Sequence, residues 1–297
     1  MQLVKVPYSP VKDTVVVDLS WLMYSSRYAL MNLGVVDPAT ETMIPTGHIH
    51  GSLVTITQLS YSCPRVILAV DSVSPHRSEI FSGYKADRAE KRKDEFPIKT
   101  HLPLILAAAS LIPNVYFVKR DGYEADDLIN HLIERGDDPI VYGKDNDLMQ
   151  WNQPYRMAWD LVASVPRIID TQVYIREKYG VDLPYLPIWW KVIRGDASDN
   201  LPSGVPRYPS KKLVQLCMAL KDERYFPALE RYVKETMDEK IAPRLEDCRR
   251  NLAIVSPLPY TEPLTLKKLM DYPVAVELGK LSMLSMLEFF RGMGVIS

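Results

Sequence analysis

The side chains of this sequence best suited to chemistry are carboxylates, and they recur in short groups. Tyr123-Glu-Ala-Asp-Asp127, Lys144-Asp-Asn-Asp147 and Arg194-Gly-Asp-Ala-Ser-Asp-Asn200 each carry two or three, and Asp18 and Asp71 each close an apolar run. Glu124 and Asp127 are three apart and share a helix face, which leaves Asp126 to point elsewhere. Asp145 and Asp147 are two apart in extended backbone and face the same way. Taken singly, each group reads more readily as a helix cap or a polar turn than as a site. Three aspartates at or just past the ends of successive predicted strands (Asp18, Asp71 and Asp145) are better explained by convergence, since that edge of an open α/β sheet binds ligands.

Carboxylates gathered in one cleft raise one another's pKa, and hard divalent cations relieve that strain. All-oxygen donors select Mg²⁺, with Mn²⁺ as a substitute, over zinc. Two or more such ions, ~3.5–4 Å apart, form the usual clamp for phosphodiester hydrolysis. The candidate metal ligands are therefore Asp18, Asp71, Glu124, Asp126, Asp127, Asp145, Asp147, Asp196 and Asp199. A calcium loop is disfavoured, because the required Gly and downstream Glu are missing.

A basic segment follows Asp71. Arg77, Lys85 and Arg88 come soon after a strand end and are candidates to hold a phosphate and neutralise transition-state charge. Tyr84 is a candidate to stack on a terminal base. Lys91, Arg92 and Lys93 read equally as a solvated helix face and as a DNA-binding patch. His48, His50, His76, His101 and His131 form no metal motif, and His76 reads as a surface residue more readily than as a phosphate contact. A phosphatase on a similar sheet lacks support, because no cysteine or histidine nucleophile arrangement is present.

The elements that must position these groups alternate. Thr14–Val17, Val66–Val70, Val115–Val118 and Pro139–Tyr142 read as short apolar strands, separated by helices over Ser20–Leu33, Pro97–Leu111 and Asp126–Arg135. That pattern predicts an α/β fold with a mostly parallel central sheet and helices on both faces. Beyond residue 155 prolines are frequent. Helices are predicted over Ile168–Tyr179 and Ser210–Leu220, with polar helices to about residue 250 and Trp189 and Trp190 packed between elements.

The 297 residues are 47% hydrophobic and 25% charged, enough for a substantial core and too apolar for wholesale disorder. Lys and Arg number 36 against 37 Asp and Glu, so net charge alone does not mark a nucleic-acid binder. The three cysteines have no metal-ligand spacing, which argues against a disulfide scaffold or zinc-thiolate site and suits a reducing cytoplasm. No signal peptide or membrane-spanning run is expected.

Taken together, VVVDLS around Asp18, AVD at Asp71, Gly83-Tyr-Lys-Ala-Asp-Arg88, GYEADD over 122–127, KDNDLMQ over 144–150 and RGDASDNLPSGVP over 194–206 resemble a known family. It is the 5'-to-3' exonuclease and flap endonuclease family, in its bacterial and bacteriophage branch, which includes the N-terminal nuclease domains of bacterial DNA polymerase I. The closing LSMLEFFRGMGVIS is similar too. The resemblance implies a nuclease core over 1–180, a short helical arch over about 84–101 and a mainly helical DNA-binding part over 181–297 that completes the metal site. It places metal ligands on all nine carboxylates and basic catalytic or phosphate-binding roles on Arg77, Lys85 and Arg88, with Asp126 also counted as catalytic.

It further implies structure-specific 5'-to-3' exonuclease and flap endonuclease activity by a two-metal-ion mechanism in replication primer removal. The alternative is a relative that binds DNA structures without cutting, which loss of ligands would signal; none is lost. Expected partners are DNA with a free 5' end, flaps, nicked or gapped duplex and RNA primers on DNA, with a possible single-stranded-DNA-binding protein or replisome contact. A monomer in the cytoplasm of a bacterium, or encoded by a phage, is expected.

Two departures stand out. Asn146 replaces the family's usual Lys between two acidic ligands. The family's Gly-Ile-Gly hairpin, which binds a monovalent ion and duplex phosphates, is replaced by Gly204-Val-Pro-Arg-Tyr-Pro-Ser-Lys-Lys212. Pro209 removes an N–H that such a nest would use, so the helix-hairpin-helix is degenerate and the monovalent-ion site is in doubt. Arg207, Lys211 and Lys212 are candidates to hold the duplex backbone by side-chain charge instead, which makes binding salt-sensitive.

Overall fold

A computed structural model describes residues 14–36, 41–91, 97–135, 139–143, 148, 156–158, 168–181, 183, 185–220 and 223–259. Strand β1 (Thr14–Asp18) runs parallel to β4 (Arg65–Ala69) on one side and β6 (Ile140–Tyr142) on the other. β5 (Val115–Val118) extends the parallel array beyond β4, and β7 (Arg156–Ala158) extends it beyond β6. β8 (Ile168–Asp170) closes the edge antiparallel to β7, giving the order β5-β4-β1-β6-β7-β8. A separate hairpin pairs β2 (Gly34–Val36) with β3 (Met43–Pro45).

Successive strand residues point to opposite faces, so the continuous apolar runs feed two cores. Val15, Val17, Val66, Leu68 and Phe117 pack with α1 (Leu19–Ala29), α2 (Gly47–Ser62) and α5 (Leu102–Ser110). Val16, Ile67, Ala69, Val118 and Val141 pack with α6 (Ala125–Glu134) and with Ile175 of α7 (Thr171–Tyr179). A third core gathers α8 (Leu186–Arg194), α9 (Ser210–Leu220), α10 (Phe226–Thr236) and α11 (Leu245–Val255) around Trp189 and Tyr208. Two short helices, α3 (Pro75–Ile80) and α4 (Ala86–Lys91), follow β4. Among the described residues no helix is long and apolar enough to cross a membrane.

Several elements differ from the sequence expectations. Ile168–Tyr179 is not one helix: its first three residues pair as β8 before α7 begins, because the apolar Ile168-Ile169 extends the sheet edge. Pro97–Leu111 is split into a 3-10 turn over Ile98–His101 and α5, and Pro103 sits in the first turn of α5, where its missing N–H costs nothing. Helix α2 was not expected, since its β-branched residues and glycines weaken a helical reading. Its closeness to α1 depends on Gly51, where a Cβ would meet Ser26 Cβ at 2.7 Å. The expected arch contains α4 and the 3-10 turn. Residues 92–96, the Lys144-Asp-Asn-Asp147 segment and the closing segment from 260 onward lie outside the described residues.

Candidate metal and phosphate cleft

Parallel strands deliver their carboxyl ends to one edge, and the acidic groups gather there. Asp18, the last residue of β1, caps α1 by accepting the Trp21 amide at 2.9 Å. Asp71 leaves the end of β4 and accepts the Ala125 amide, the first of α6, at 2.9 Å. Glu124 is the N-cap of α6. A helix start, with its free N–H groups and positive dipole end, favours these anions.

Asp196 and Asp199 arrive from the C-terminal part. Gly195 ends α8 at φ +76°, a backbone that any Cβ would strain, and a Cβ there would also meet Leu201 O at 2.4 Å. The turn it permits folds Asp196 back against Leu201, with amide–carbonyl bonds in both directions. Asp196 then accepts the Ser198 amide and hydroxyl at 2.9 and 2.6 Å. The Gly83–Arg88 stretch docks onto this loop: Lys85 N donates to Asp199 O at 2.9 Å and Asn200 Nδ2 donates to Gly83 O at 2.9 Å.

The result is a cleft of about 270 Å³ whose walls include Asp18, Asp71, Glu124, Asp126, Asp196 and Asp199, facing Lys85, Arg88 and Lys99. The cations are paired with the anions. Lys85 Nζ lies 2.8 Å from both Glu124 oxygens, Arg88 donates to Asp199, and Lys99 Nζ reaches Asp71 at 3.5 Å. Lys191, on the last turn of α8, sits 2.6 Å from Asp196. Burial pushes the Asp196 carboxyl up, but the Lys191 ammonium and the Ser198 hydrogen bonds outweigh it and hold the carboxyl at about 2. Asp71 is likewise held low: burial opposes, and Lys99, Ser20, the Ala125 amide and Lys85 prevail. Burial, then the Glu124 and Asp199 charges, raise the Tyr84 phenol, whose hydroxyl lies 3.3 Å from Glu124.

The donor set fits hard divalent ions. Its anionic groups are all carboxylates, joined by oxygen from Ser20 and three tyrosines and by no His or Cys, and ammonium and guanidinium groups already offset their charge. Among the described residues, no three His, Cys, Asp or Glu side chains lie close enough together to enclose an ion by themselves. The fit therefore rests on donor chemistry and on the shared cleft.

Two of the expected site residues are engaged by the chain itself. Asp127 was expected as a metal ligand, but its side chain is fully buried and its oxygens accept four hydrogen bonds. Arg77 was expected to bind phosphate, but it is 4% exposed and paired with Asp127.

Asp145, Asp147, Arg92 and Lys93 lie outside the described residues, as does the side chain of Lys91. Arg207, Lys211 and Lys212 are exposed and line no part of the cleft. Arg207 takes a left-handed backbone (φ 56°), and Arg194 braces the loop by donating to Tyr208 O and Ser210 Oγ at 2.8 and 2.6 Å.

In the sequence Lys99 is only one of the basic residues after Asp71, and nothing there singles out Lys191 or an aromatic stripe on α1. Trp21, Tyr24 and Tyr28 all line the cleft, aligned by their spacing i, i+3, i+7. Lys191 stands one helical turn before Gly195, so its approach to Asp196 depends on a reversal that only the folded chain displays.

A family model described as 5'-3' exonuclease, N-terminal resolvase-like domain, matches residues 13–180. The 5'-3' exonuclease of Buchnera aphidicola subsp. Schizaphis graminum is 28% identical over 212 residues, 68% of each chain. The thermostable DNA polymerase I of Thermus thermophilus is 28% identical over 256 residues, which is 83% of this chain and 29% of the polymerase. The chain thus spans under a third of that relative. In structure, it is similar to the T5 D15 protein co-crystallized with metal ions (TM-score 0.58, 16% identity, 96% of this chain and 100% of that one). Flap endonuclease-1 from Methanococcus jannaschii is similar as well (TM-score 0.53, 14% identity, 96% of each). At these identities the two structures establish a shared fold.

Proposed function

We propose the following function for this chain, which belongs to the 5'-3' exonuclease family. It is a metal-dependent nuclease that hydrolyses phosphodiester bonds near a free 5' end. Its substrates are flaps, nicked or gapped duplex and RNA primers annealed to DNA, and its setting is primer removal in replication. The division into a nuclease core over 1–180 and a DNA-binding part over 181–297 belongs to the same reading.

One observation carries it: besides the buried Asp127, six carboxylates from β1, the β4 end, α6 and the loop after α8 line one cleft with Lys85 and Arg88. Asp18, Asp71, Glu124 and Asp126 would hold one divalent ion. Asp196 and Asp199 would hold a second, with Asp145 and Asp147. Such ions, when bound, supply a nucleophilic water at neutral pH and neutralise charge on the phosphorus oxygens.

The chain's own residues do the rest. Lys85 and Arg88 are held beside the carboxylates and present positive charge where a phosphate would enter. Tyr84 lies against Lys85, its ring centroid 4.8 Å from Nζ, and offers a stacking face at the same place. Arg207, Lys211 and Lys212 meet duplex phosphates without reading sequence.

The test compares cleavage of 5'-labelled flap, nicked duplex and blunt duplex in Mg²⁺ for wild type and Asp126→Asn. Release of a short 5' product by wild type, and its loss in Asp126→Asn, is expected. Equal cleavage by the two proteins, or no cleavage of any substrate by wild type, would overturn the reading.

A further inference from the structure

Arg77 and Asp127 stand in the wall of the cleft but differ from its other charged pairs in being almost wholly buried. Asp127 Oδ1 accepts Arg77 Nη2 at 2.7 Å and the Leu258 amide at 2.9 Å. Its Oδ2 accepts Arg77 Nη1 and the Glu124 amide, both at 2.9 Å. An ionised carboxylate offers about four acceptor positions, so these donors use its capacity. The guanidinium is committed as fully. Nε donates to Ile254 O at 2.9 Å, Nη2 reaches Ser256 O at 3.4 Å, and Nη1 lies 3.4 Å from Glu124 Oε2 and 3.5 Å from Ser74 Oγ.

Four stretches of chain meet at this ion pair: α3, the start of α6, the end of α11 and the segment that follows it. Two of the contacts fall on Glu124. Asp127 holds its backbone N–H, completing a capping box, and Arg77 approaches its carboxylate. The Arg fork suits this, since it addresses a carboxylate bidentately while its remaining N–H groups reach carbonyls.

We infer that Arg77 and Asp127 are a positioning pair, which sets Glu124 in the cleft and locks the end of α11 to it, and that neither one touches metal or phosphate. The inference rests on the metal-nuclease reading of the cleft. It makes the C-terminal helices a condition for placing an acidic residue of the N-terminal core. Loss of the residues around 254–258 would therefore disturb Glu124 although none of them carries a carboxylate.

The experiment uses the full-length chain and Mn²⁺ alone as the probe. Bound Mn²⁺ is counted by electron paramagnetic resonance for wild type, Asp127→Asn, Arg77→Lys and Asp126→Asn. The Mn²⁺ concentration for half-maximal flap cleavage and the hydrogen exchange of the Leu258 amide are measured on the same proteins.

A positioning pair predicts that Asp127→Asn and Arg77→Lys keep the wild-type ion count, whereas Asp126→Asn loses an ion. Groups that orient metal ligands change affinity by about 10–100-fold, so half-saturation should rise by about 10-fold or more in both pair variants. The Leu258 amide should lose protection in step. A purely structural pair would lower the folded fraction without moving half-saturation.

An ion lost in Asp127→Asn, with Leu258 still protected, would overturn the inference and restore Asp127 as a ligand. An unchanged half-saturation in both pair variants would overturn it too. If Asp127→Asn does not fold, Arg77→Lys alone decides by the same two readouts. Absence of Mn²⁺ binding by wild type would instead sink the nuclease reading and the positioning role together.

Discussion

Replacing Lys191 by Met removes the cation that holds Asp196, and the expected cost can be worked out. The Asp196 carboxyl lies at about 2 in the folded chain against an ordinary 3.8. At about 1.36 kcal/mol per pKa unit, that gap is worth at most ~2.5 kcal/mol. The two side chains keep 15% and 16% of their surface at the open edge of the cleft. Solvent screening and the persisting Ser198 bonds leave about 1 kcal/mol for the lysine itself.

The sign follows from the depressed folded pKa. The stabilisation is complete above pH 3.8, falls as the pH drops, is roughly half gone near pH 3 and disappears below 2. The assay is urea unfolding in metal-free buffer for wild type, Lys191→Met, Asp196→Asn and the double variant. The coupling energy should be about 1 kcal/mol at pH 7 and distinctly smaller at pH 3. A coupling near zero at pH 7, or one unchanged at pH 3, would refute the reasoning.

The other predictions concern separate parts of the molecule. Gly195→Ala should lower stability by ~1–3 kcal/mol, read as a drop in Tm, because the residue combines φ +76° with a 2.4 Å approach to Leu201 O. Lys85→Met should slow single-turnover flap cleavage by roughly 10²–10³-fold, as loss of one group that neutralises transition-state charge does; a rate within threefold of wild type would remove Lys85 from the site. Burial first, then His101 and Arg27, lower His48 to about 4. Because it stays neutral when folded, stability should be full above pH 6.5 and decline toward pH 4, and His48→Asn should flatten that slope in a thermal-melt series. Substituting Arg207, Lys211 or Lys212 by Ala should each weaken duplex binding at low salt and reduce the salt slope by about one.

Much of the fold was legible because its signals are local. The apolar runs of β1, β4, β5 and β6 mark buried strands, and an aspartate or a following glutamate marks the edge where they end. Ser210–Leu220 is a helix over the residues its pattern indicates. Helix α2 was not legible, since Gly51 is a poor helix former whose use is the close approach of α1, a contact between distant segments.

The same division runs through the cleft. Local patterns alone put Asp18 and Asp71 at strand ends and show that Gly195 permits a turn before Asp196. They could not distinguish an exposed acid from a sealed one. Asp126 and Asp127 are neighbours with the same side chain and both border the cleft, yet Asp126 stays half-buried while Asp127 is fully buried and held by Arg77, the Glu124 amide and the Leu258 amide. Which of two adjacent residues faces solvent depends on which side of α6 meets α3 and the end of α11. That choice is made by packing among segments up to 179 residues apart, and no local pattern encodes it.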